Sequence, residues 1–358
     1  MKKKISFIPL FAICFCPQLF AQKNYSPGDK HISYEGRIAY TPNSAELMWP
    51  GTSITVRFKG TGISGEFKDQ DTSNYYNVII DNDSMYTLQF DTTQKMVPLV
   101  SGLPQGKHTL ELFKRTEWDK GKTWFYGFKT NRNTKLVDPP KKPKRKIEFF
   151  GNSISCGYAI NDMVHDSPLG YYENNYDAYP AITARHFNAQ YHCTAKSGIG
   201  IMVSWFPLIM PEMYNRLDPT DSTSRWDFSK FTPDVVVINL LQNDSWIVKM
   251  PDNEQFKKRF GSTAPGEDQI VNAYKSFVQT IRSTYPKASI ICMLGSMDIT
   301  KAGSPWPGYV KKAVAEINDP KIFAYIAPYK NTPGHPKVKE QKQLADGLIS
   351  FINDHVKW

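Results

Sequence analysis

The sequence has few cysteines and no long apolar run, and both features limit the classes of protein to which it can belong. Only 5 of the 358 residues are cysteine, and two of them lie near the N-terminus. The other three, Cys156, Cys193 and Cys292, form no Cys-x-x-Cys pair, which argues against a structural zinc site. An odd number permits at most one disulfide, so no disulfide framework supports the fold, and a Cys156–Cys193 pair stays open. No later stretch reaches the roughly 18 apolar residues of a membrane span.

The composition also lacks a strong bias, because 41% of the residues are hydrophobic and 22% are charged. These values are ordinary for a globular protein and exclude a disordered or fibrous chain. The net charge of +10 is spread along the chain except for one run, Asp138-Pro-Pro-Lys-Lys-Pro-Lys-Arg-Lys146. That run is compatible with an anionic partner, but a stiff, solvated linker is its commoner meaning. We therefore expect no nucleic-acid partner.

The N-terminus has the pattern of a secretory signal peptide at residues 1–21. Met1 to Lys4 form a short positive region with three lysines. Ile5 to Phe15 are apolar but too few to span a bilayer, and Leu19-Phe20-Ala21 ends on a small residue. The pattern predicts cleavage near Ala21-Gln22 and a secreted or periplasmic protein.

Residues 22–137 are predicted to form an all-β sandwich of the jelly-roll type. Ser53 to Phe58, Tyr76 to Ile80 and Thr109 to Phe113 alternate or are β-branched, as is typical of strands. Turn sequences such as Gly60-Thr-Gly62 separate these runs. Many short strands at even spacing favour a sandwich or jelly roll.

The basic, proline-rich run at residues 138–146 is interpreted as a linker to a second domain, residues 147–358. Short apolar strands alternate there with helical patterns. The strands are Lys146 to Phe150, Val235 to Ile238, Ser289 to Met293 and Ile322 to Ile326, and the helices are Ile270 to Tyr285, Val310 to Glu316 and Val338 to Val356. This alternation predicts a three-layer α/β fold with a parallel sheet, whose chemistry lies past the carboxyl ends of the strands.

Four residues of this second domain stand where such chemistry is expected. Ser153 follows the first strand and can point its hydroxyl into the crevice, although a helix N-cap is the commoner role. Gly198 permits close approach of an amide to a ligand, and Asn243 can donate a hydrogen bond or belong to a turn. His335 precedes the last helix. Each signal is weak alone, but the set and its order are specific.

This order of residue types resembles the SGNH hydrolases. The resemblance implies that Ser153 is the nucleophile and His335 its general base. It also implies an oxyanion hole formed by the amides of Ser153 and Gly198 and the side chain of Asn243. These roles are physically consistent, because a serine needs a base to become nucleophilic and an oxyanion needs preorganised donors.

Motifs in both halves are similar to those of carbohydrate esterase family two, whose members remove acetyl groups from polysaccharides. Trp49-Pro-Gly-Thr-Ser53, Val97 to His108 and Lys114-Arg-Thr-Glu117 are similar to pieces of that family's jelly roll. Gly151 to Tyr158 is similar to its nucleophile block. The resemblance covers nearly all of residues 22–358. For the serine chemistry that it implies, we expect no cofactor and no metal.

Three departures from the family pattern affect the expected site. Asn152 replaces the usual aspartate before the nucleophile, and Leu241 replaces a glycine before the asparagine block. The positions where an acid usually precedes His335 hold Thr332 and Pro333. Such an acid fixes the imidazole tautomer, so its absence puts a full triad in doubt.

Without that acid we expect a dyad of Ser153 and His335, with a backbone carbonyl orienting the imidazole, as the family resemblance allows. Asp298, which follows the Ser289 to Met293 strand, is the alternative acid.

Aromatic side chains are expected to line the cleft, because saccharides present flat apolar faces. The candidates are Trp306, Trp246, Trp205 and Tyr158. A tryptophan is more often a core residue than a platform. Trp306 is preferred, because the prolines on either side of it predict an exposed, stiff loop.

We therefore expect a monomeric, secreted serine esterase that removes O-acetyl groups from polysaccharides or oligosaccharides such as acetylated xylan or glucomannan. One alternative is a lipolytic SGNH esterase or thioesterase, which would need an apolar acyl channel, whereas Asn161-Asp162 and His165-Asp166 are polar. The other is a carbohydrate-binding protein with weakened catalysis, suggested by Asn152 and the missing acid.

Overall fold

The computed structural model describes residues 22–358, and the predicted signal peptide at residues 1–21 lies outside this range. Two antiparallel sheets come first along the chain, and a five-stranded parallel sheet follows them. None of the helices between residues 22 and 358 is long and apolar enough to cross a membrane.

The strands of the antiparallel sheets occupy the first part of the described chain. They are β1 (Lys23–Tyr25), β2 (Ile32–Glu35), β3 (Ile38–Tyr40), β4 (Ala45–Leu47), β5 (Ser53–Gly60), β6 (Ile63–Asp69), β7 (Tyr76–Ile80), β8 (Ser84–Leu88), β9 (Lys95–Val100), β10 (Gly106–Lys114), β11 (Thr123–Thr130) and β12 (Lys135–Val137). One sheet has the order β3-β4-β11-β6-β9, with β1 also paired to β11. The other has the order β12-β5-β10-β7-β8, with β2 also paired to β5.

Strand alternation places the apolar side chains of both sheets in one shared core. In β5, Ile54, Val56 and Phe58 are fully buried, whereas Arg57 between them is partly exposed. These side chains pack in the same cluster as Phe67 of β6, which belongs to the opposite sheet. The predicted β-sandwich is therefore confirmed, and its finer jelly-roll connectivity stays a prediction.

The parallel sheet consists of β13 (Arg145–Gly151), β14 (Ala189–Ala195), β15 (Val235–Asn239), β16 (Ser289–Leu294) and β17 (Ile322–Ile326). Its order is β14-β13-β15-β16-β17, which is the 2-1-3-4-5 order of flavodoxin-like sheets. The last two residues of the predicted linker, Arg145 and Lys146, thus belong to the sheet. The helices are α1 (Ser153–Cys156), α2 (Tyr179–His186), α3 (Met210–Met213), α4 (Gln242–Ile247), α5 (Glu254–Phe260), α6 (Glu267–Thr284), α7 (Trp306–Ile317) and α8 (Val338–His355).

Helices cover both faces of this sheet, as the side chains of β15 illustrate. Ile238 points to one face and packs in a cluster with residues of α6 and α7 such as Phe277 and Val310. Val237 points to the other face and packs with residues of α2 and α8 such as Leu348. The predicted α/β fold with helices on both faces is confirmed. In such sheets a crevice opens at the carboxyl ends of the strands where the strand order reverses, here at β13 and β15.

The cysteines of the described chain are free thiols. Cys156, Cys193 and Cys292 are all buried and unpaired, which answers the question of a Cys156–Cys193 bridge. Burial raises the pKa of the Cys193 thiol to about 12. The fold thus relies on packing rather than on disulfides.

Glu35, at the end of β2, connects the sandwich to the parallel sheet. Its carboxylate accepts the amide hydrogen of Tyr191 in β14 at 3.0 Å. Burial raises the pKa of Glu35 to about 7, from an ordinary value of 4.5. Between these two values the native protein retains a proton that the unfolded chain has released, so stability falls as the pH rises through this range.

Replacing Glu35 with glutamine keeps the hydrogen-bond acceptor and removes the titrating charge. We expect Glu35→Gln to be more stable than the wild type at pH 8 by on the order of 3 kcal/mol, and to match it near pH 4. Urea unfolding at both pH values measures the difference. An equal difference at the two pH values would contradict a buried, titrating Glu35.

Candidate active site

The turn from β13 into α1 presents Ser153 at the edge of the parallel sheet. Asn152 caps α1, because its Oδ1 accepts the amide hydrogen of Ile154 at 3.1 Å. A Cβ atom at Gly151 would lie 2.0 Å from the Oγ of Ser155, so only glycine fits there. Asn152 thus performs the capping expected of an aspartate without adding a charge.

A chain of hydrogen bonds joins Ser153, His335 and Asp166. The Nε2 of His335 lies 2.9 Å from the Oγ of Ser153. Its Nδ1 lies 2.7 Å from Oδ2 of Asp166, although 169 residues separate the two along the chain. With Nδ1 donating to the carboxylate, Nε2 is left as the acceptor for the serine proton.

The backbone around His335 and the Lys337 side chain hold Asp166 in place. The His335 amide donates to Oδ2 of Asp166 at 2.8 Å, and Lys337 Nζ donates to Oδ1 at 2.8 Å. A Cβ atom at Gly334, whose φ is +69°, would lie 2.8 Å from this carboxylate, so glycine permits the approach. The hydrogen bond from His335 holds the pKa of Asp166 well below its usual range. Asp166 therefore stays ionised throughout the neutral and mildly acidic range.

The expected dyad, with a backbone carbonyl orienting His335, is wrong in this respect. A carboxylate occupies the orienting position, and it comes from the loop after α1 rather than from the residues next to His335. Asp298, the alternative acid, is engaged elsewhere, because its carboxylate accepts hydrogen bonds from Gln242 and Trp246. Sequence reasoning missed Asp166, since no spacing relates it to His335.

The loops that carry Gly198 and Asn243 begin beside Ser153. In the sheet register, Gly151 of β13 pairs with Ala195 of β14 on one side and with Asn239 of β15 on the other. The three loops therefore leave the same edge at the same level. Within residues 22–358 the amides of Ser153 and Gly198 have no hydrogen-bond acceptor. Both are available to a ligand.

The amide group of Asn243 is fixed by two hydrogen bonds. Its Nδ2 donates to the carbonyl of Ile199 at 2.8 Å, and its Oδ1 accepts from Nε1 of Trp205 at 3.1 Å. These contacts define the orientation of the amide and leave the second Nδ2 hydrogen for a ligand. The structure thus brings Asn243 and Trp205 together, and their roles in an oxyanion hole and in binding stay predictions.

Replacing Trp205 with phenylalanine keeps an aromatic ring, although a smaller one, and removes the hydrogen bond to Asn243. We expect Trp205→Phe to lower kcat by about fivefold to tenfold with little change in KM, because a net hydrogen bond is worth roughly 1 kcal/mol. Steady-state kinetics on an acetyl ester measures this.

The matched control is Trp124→Phe. Trp124 lies in the sandwich, and its Nε1 donates to Glu46 at 3.0 Å. An equal loss of kcat in both variants would refute a specific role for Trp205.

Asp244 is a further residue that the sequence analysis did not identify. It is fully buried, and its carboxylate accepts the amide hydrogens of Ile201, Met202 and Val203. It therefore holds the loop that follows Gly198. Burial raises the pKa of Asp244. An aspartate directly after the asparagine was the available signal, but it is equally typical of a turn.

Leu241 lies in the left-handed region, with a φ of +74°, at the start of α4. This conformation explains the family's glycine at this position, since it strains any residue that carries a Cβ. The Leu241 side chain is fully buried in the core next to α6, so packing offsets the strain.

The aromatic candidates are placed differently from one another. Trp306 is only 3% exposed, which makes the expected exposed platform wrong. Its flanking prolines start α7 rather than form a loop, and the ring packs into the core. Trp205 is 43% exposed, and the ring of Tyr158 lies 4.8 Å from the imidazole of His335. Trp246 is partly buried and donates to Asp298.

One group of acids in the described range has the spacing of a metal site. It consists of Glu117, Asp119 and Glu173. Two of these three acids pair with ammonium groups, since Lys120 lies 3.1 Å from Glu173 and Lys196 lies 3.0 Å from Asp119. The group is therefore part of an ion-pair network.

The fold and this geometry together define a class. A serine, a histidine and a carboxylate in one hydrogen-bonded chain at the carboxyl edge of a parallel sheet are the arrangement of an α/β serine hydrolase of the SGNH type.

Comparison with known proteins identifies the family within this class. Residues 34–140 match the model of the carbohydrate esterase 2 N-terminal domain. The chain is 32% identical to the cellulase/esterase CelE of Acetivibrio thermocellus over 94% of its own length, but it spans only 41% of CelE. It is 28% identical to an acetylxylan esterase / glucomannan deacetylase of Cellvibrio japonicus, with 93% of each chain covered.

A solved structure agrees with these relatives. A family two carbohydrate esterase from Clostridium thermocellum, in complex with cellohexaose, matches with a TM-score of 0.80 and 33% identity. The match covers 90% of this chain and 98% of that one. The chain therefore belongs to carbohydrate esterase family 2, a family of carboxylic ester hydrolases.

Proposed function

We propose that this protein is an exported esterase that removes O-acetyl groups from acetylated xylan, glucomannan or related polysaccharides and oligosaccharides. The observation that carries the proposal is the hydrogen-bonded chain from Asp166 through His335 to Ser153. The relatives named above, one an acetylxylan esterase / glucomannan deacetylase, support the choice of substrate. The signal-peptide pattern of residues 1–21 supports export, since polymeric substrates lie outside the cell.

In the proposed mechanism, His335 acts first as a base and then as an acid. Nε2 takes the proton of Ser153 as Oγ attacks the acetyl carbonyl, and Asp166 stabilises the imidazolium that forms. The amides of Ser153 and Gly198 and the Nδ2 of Asn243 donate to the oxyanion. The imidazolium then protonates the departing sugar oxygen, which leaves an acetyl group on Ser153.

The second half of the reaction uses the same groups. His335 removes a proton from water, the hydroxide attacks the acetyl-enzyme, and the tetrahedral intermediate collapses with return of the proton to Ser153. Acetate leaves, and the free enzyme is regenerated. An alkoxide leaves more readily than an amine, so the site needs no further acid.

A lipolytic esterase is the second candidate function, and one observation favours it. Met163 and Val164, just before Asp166, are 75% and 79% exposed and provide an apolar surface near the site. Rates on nitrophenyl acetate and nitrophenyl octanoate separate the two functions. The sugar esterase predicts preference for acetate, and preference for octanoate would favour the lipolytic enzyme.

Proton NMR of acetate tests the proposed function. Acetylated xylan and acetylated glucomannan are each incubated with the wild type and with Ser153→Ala. We expect acetate release by the wild type only. Binding of both polymers without release would support a carbohydrate-binding protein instead.

A further inference from the structure

A loop of the sandwich contacts the loop that follows β14. That second loop carries Lys196, Ser197 and Gly198 and is called the oxyanion loop below. The sandwich loop, residues 115–122, connects β10 to β11 and contains Glu117. Glu117 is fully buried, and its Oε2 accepts the amide hydrogen of Ser197 at 2.6 Å. Ser197 immediately precedes Gly198. The motif Lys114-Arg-Thr-Glu117, which the proposed chemistry does not use, therefore lies against the site.

The residue before Ser197 is held by the same loop. Lys196 Nζ donates to Oδ2 of Asp119 at 3.0 Å, and it lies 4.5 Å from the centre of the Trp118 ring. The main chain of the oxyanion loop is thus bound by Glu117 and its side chain by Asp119. Both contacts come from the first part of the chain, while Gly198 follows a strand of the second.

Glu117 itself has a defined position. Its amide donates to Oε2 of Glu173 at 3.1 Å, and its carbonyl accepts from Lys114 Nζ at 3.3 Å. Lys114 Nζ also donates to the carbonyl of Thr116 at 2.9 Å. These bonds fix the turn that carries Glu117, so its carboxylate is a rigid acceptor rather than a mobile surface group.

We propose that Glu117, with Asp119 beside it, is a positioning residue for the oxyanion loop, and this inference rests on the proposed esterase function. Gly198 has a φ of +82°, a conformation that glycine adopts freely and can also leave freely. The bond to Ser197 restrains the peptide just before it. Oxyanion donors must meet the developing charge within a few tenths of an ångström, so a loosened loop costs transition-state binding more than substrate binding.

Two substitutions separate the reach of Glu117 from its charge. Glu117→Gln keeps the length of the side chain and an acceptor oxygen, and we expect its kcat to stay within about threefold of the wild type. Glu117→Asp keeps a carboxylate in the electrostatic range of Lys196 and Lys120 but withdraws the acceptor by one methylene. We expect kcat to fall about tenfold or more, with KM nearly unchanged.

Asp119→Ala tests the second contact at a more exposed residue. We expect kcat to fall severalfold with KM unchanged. Because Asp119 lies nearer the surface, this variant keeps the proposal testable if Glu117→Asp does not fold.

Glu35 provides the matched control. It also accepts an amide hydrogen across the two parts of the chain, at Tyr191 near the start of β14, whereas the oxyanion loop follows the end of that strand. Glu35→Gln and Glu35→Asp should leave kcat unchanged, whatever they do to the midpoint of thermal unfolding. All variants are compared on acetylated xylan at a temperature where circular dichroism shows each to be folded.

The outcomes are distinct. A larger loss of kcat in Glu117→Asp than in Glu117→Gln, without loss in the Glu35 variants, supports the positioning role. The proposal is overturned if Glu117→Asp has the same kcat as Glu117→Gln or a higher one. The charge of the side chain would then matter rather than its length. Unchanged kcat in Asp119→Ala overturns the proposal too. A wild type that releases no more acetate than Ser153→Ala refutes the proposed function itself.

Discussion

Ser153→Ala should lower kcat for acetate release by about four orders of magnitude or more, with the fold unchanged. In the proposed mechanism the substitution removes the oxygen that attacks the carbonyl, which lies 2.9 Å from Nε2 of His335, together with the proton that His335 would accept. Only binding and oxyanion stabilisation would remain, and these supply a small part of such catalysis. Acetate release measured by proton NMR, with circular dichroism of each variant, tests this expectation.

Ser155→Ala is the matched control for that experiment. Ser155 lies in the same short helix, and its hydroxyl is bonded to Tyr179 rather than to His335. We expect its kcat to stay within about threefold of the wild type, since a neutral buried hydrogen bond affects mainly stability. If Ser153→Ala retained more than about one per cent of the rate, Ser153 would not be the nucleophile.

Asp166→Asn should lower kcat by about two to four orders of magnitude, with little change in KM. An asparagine oriented to donate towards Nδ1 reverses the imidazole tautomer, so that Nε2 carries a hydrogen and cannot accept the serine proton. The charge that stabilises the imidazolium is lost as well. The hydrogen bond from His335 keeps the pKa of Asp166 below its usual range. The defect should therefore persist at every pH from about 5 to 9.

Asp298→Asn is the control that separates the two candidate acids. Asp298 accepts hydrogen bonds from Gln242 and Trp246 and makes none to His335. We expect its kcat to remain within a few-fold of the wild type. A deeper loss in Asp298→Asn than in Asp166→Asn would reject the assignment of Asp166.

Sequence periodicity predicted the elements whose burial follows a regular pattern. Helix α8 was expected at Val338 to Val356 and is found at Val338–His355, because its apolar residues recur at helical spacing. Strand β14, with the sequence Ala-Gln-Tyr-His-Cys-Thr-Ala, was missed because polar residues interrupt it. His192 in this strand is nonetheless buried, where it stacks on Phe231. Only the tertiary packing reveals that.

The same distinction between local pattern and tertiary packing applies to the residues of the site. Ser153 and Asn243 follow the ends of two predicted strands, so local sequence and sheet topology sufficed to place them at one edge. Gly198 follows β14, which was missed, so its place was expected only from the order of residue types that resembles the SGNH hydrolases. Asp166 lies in a loop with no periodic pattern, and its contact with His335 exists only in the folded chain. The burial of Trp306 was missed for a local reason, since prolines suit the first turn of a helix as well as a loop.

Trapping the covalent intermediate tests the central claim most directly. Wild type and Ser153→Ala are mixed with nitrophenyl acetate, quenched in acid within milliseconds, digested and analysed by mass spectrometry. The account predicts one acetyl group on the peptide that contains Ser153 in the wild type, and none on that peptide in the variant. Acetate release by the wild type with no acetyl group on Ser153, or with the group on another residue, would contradict it.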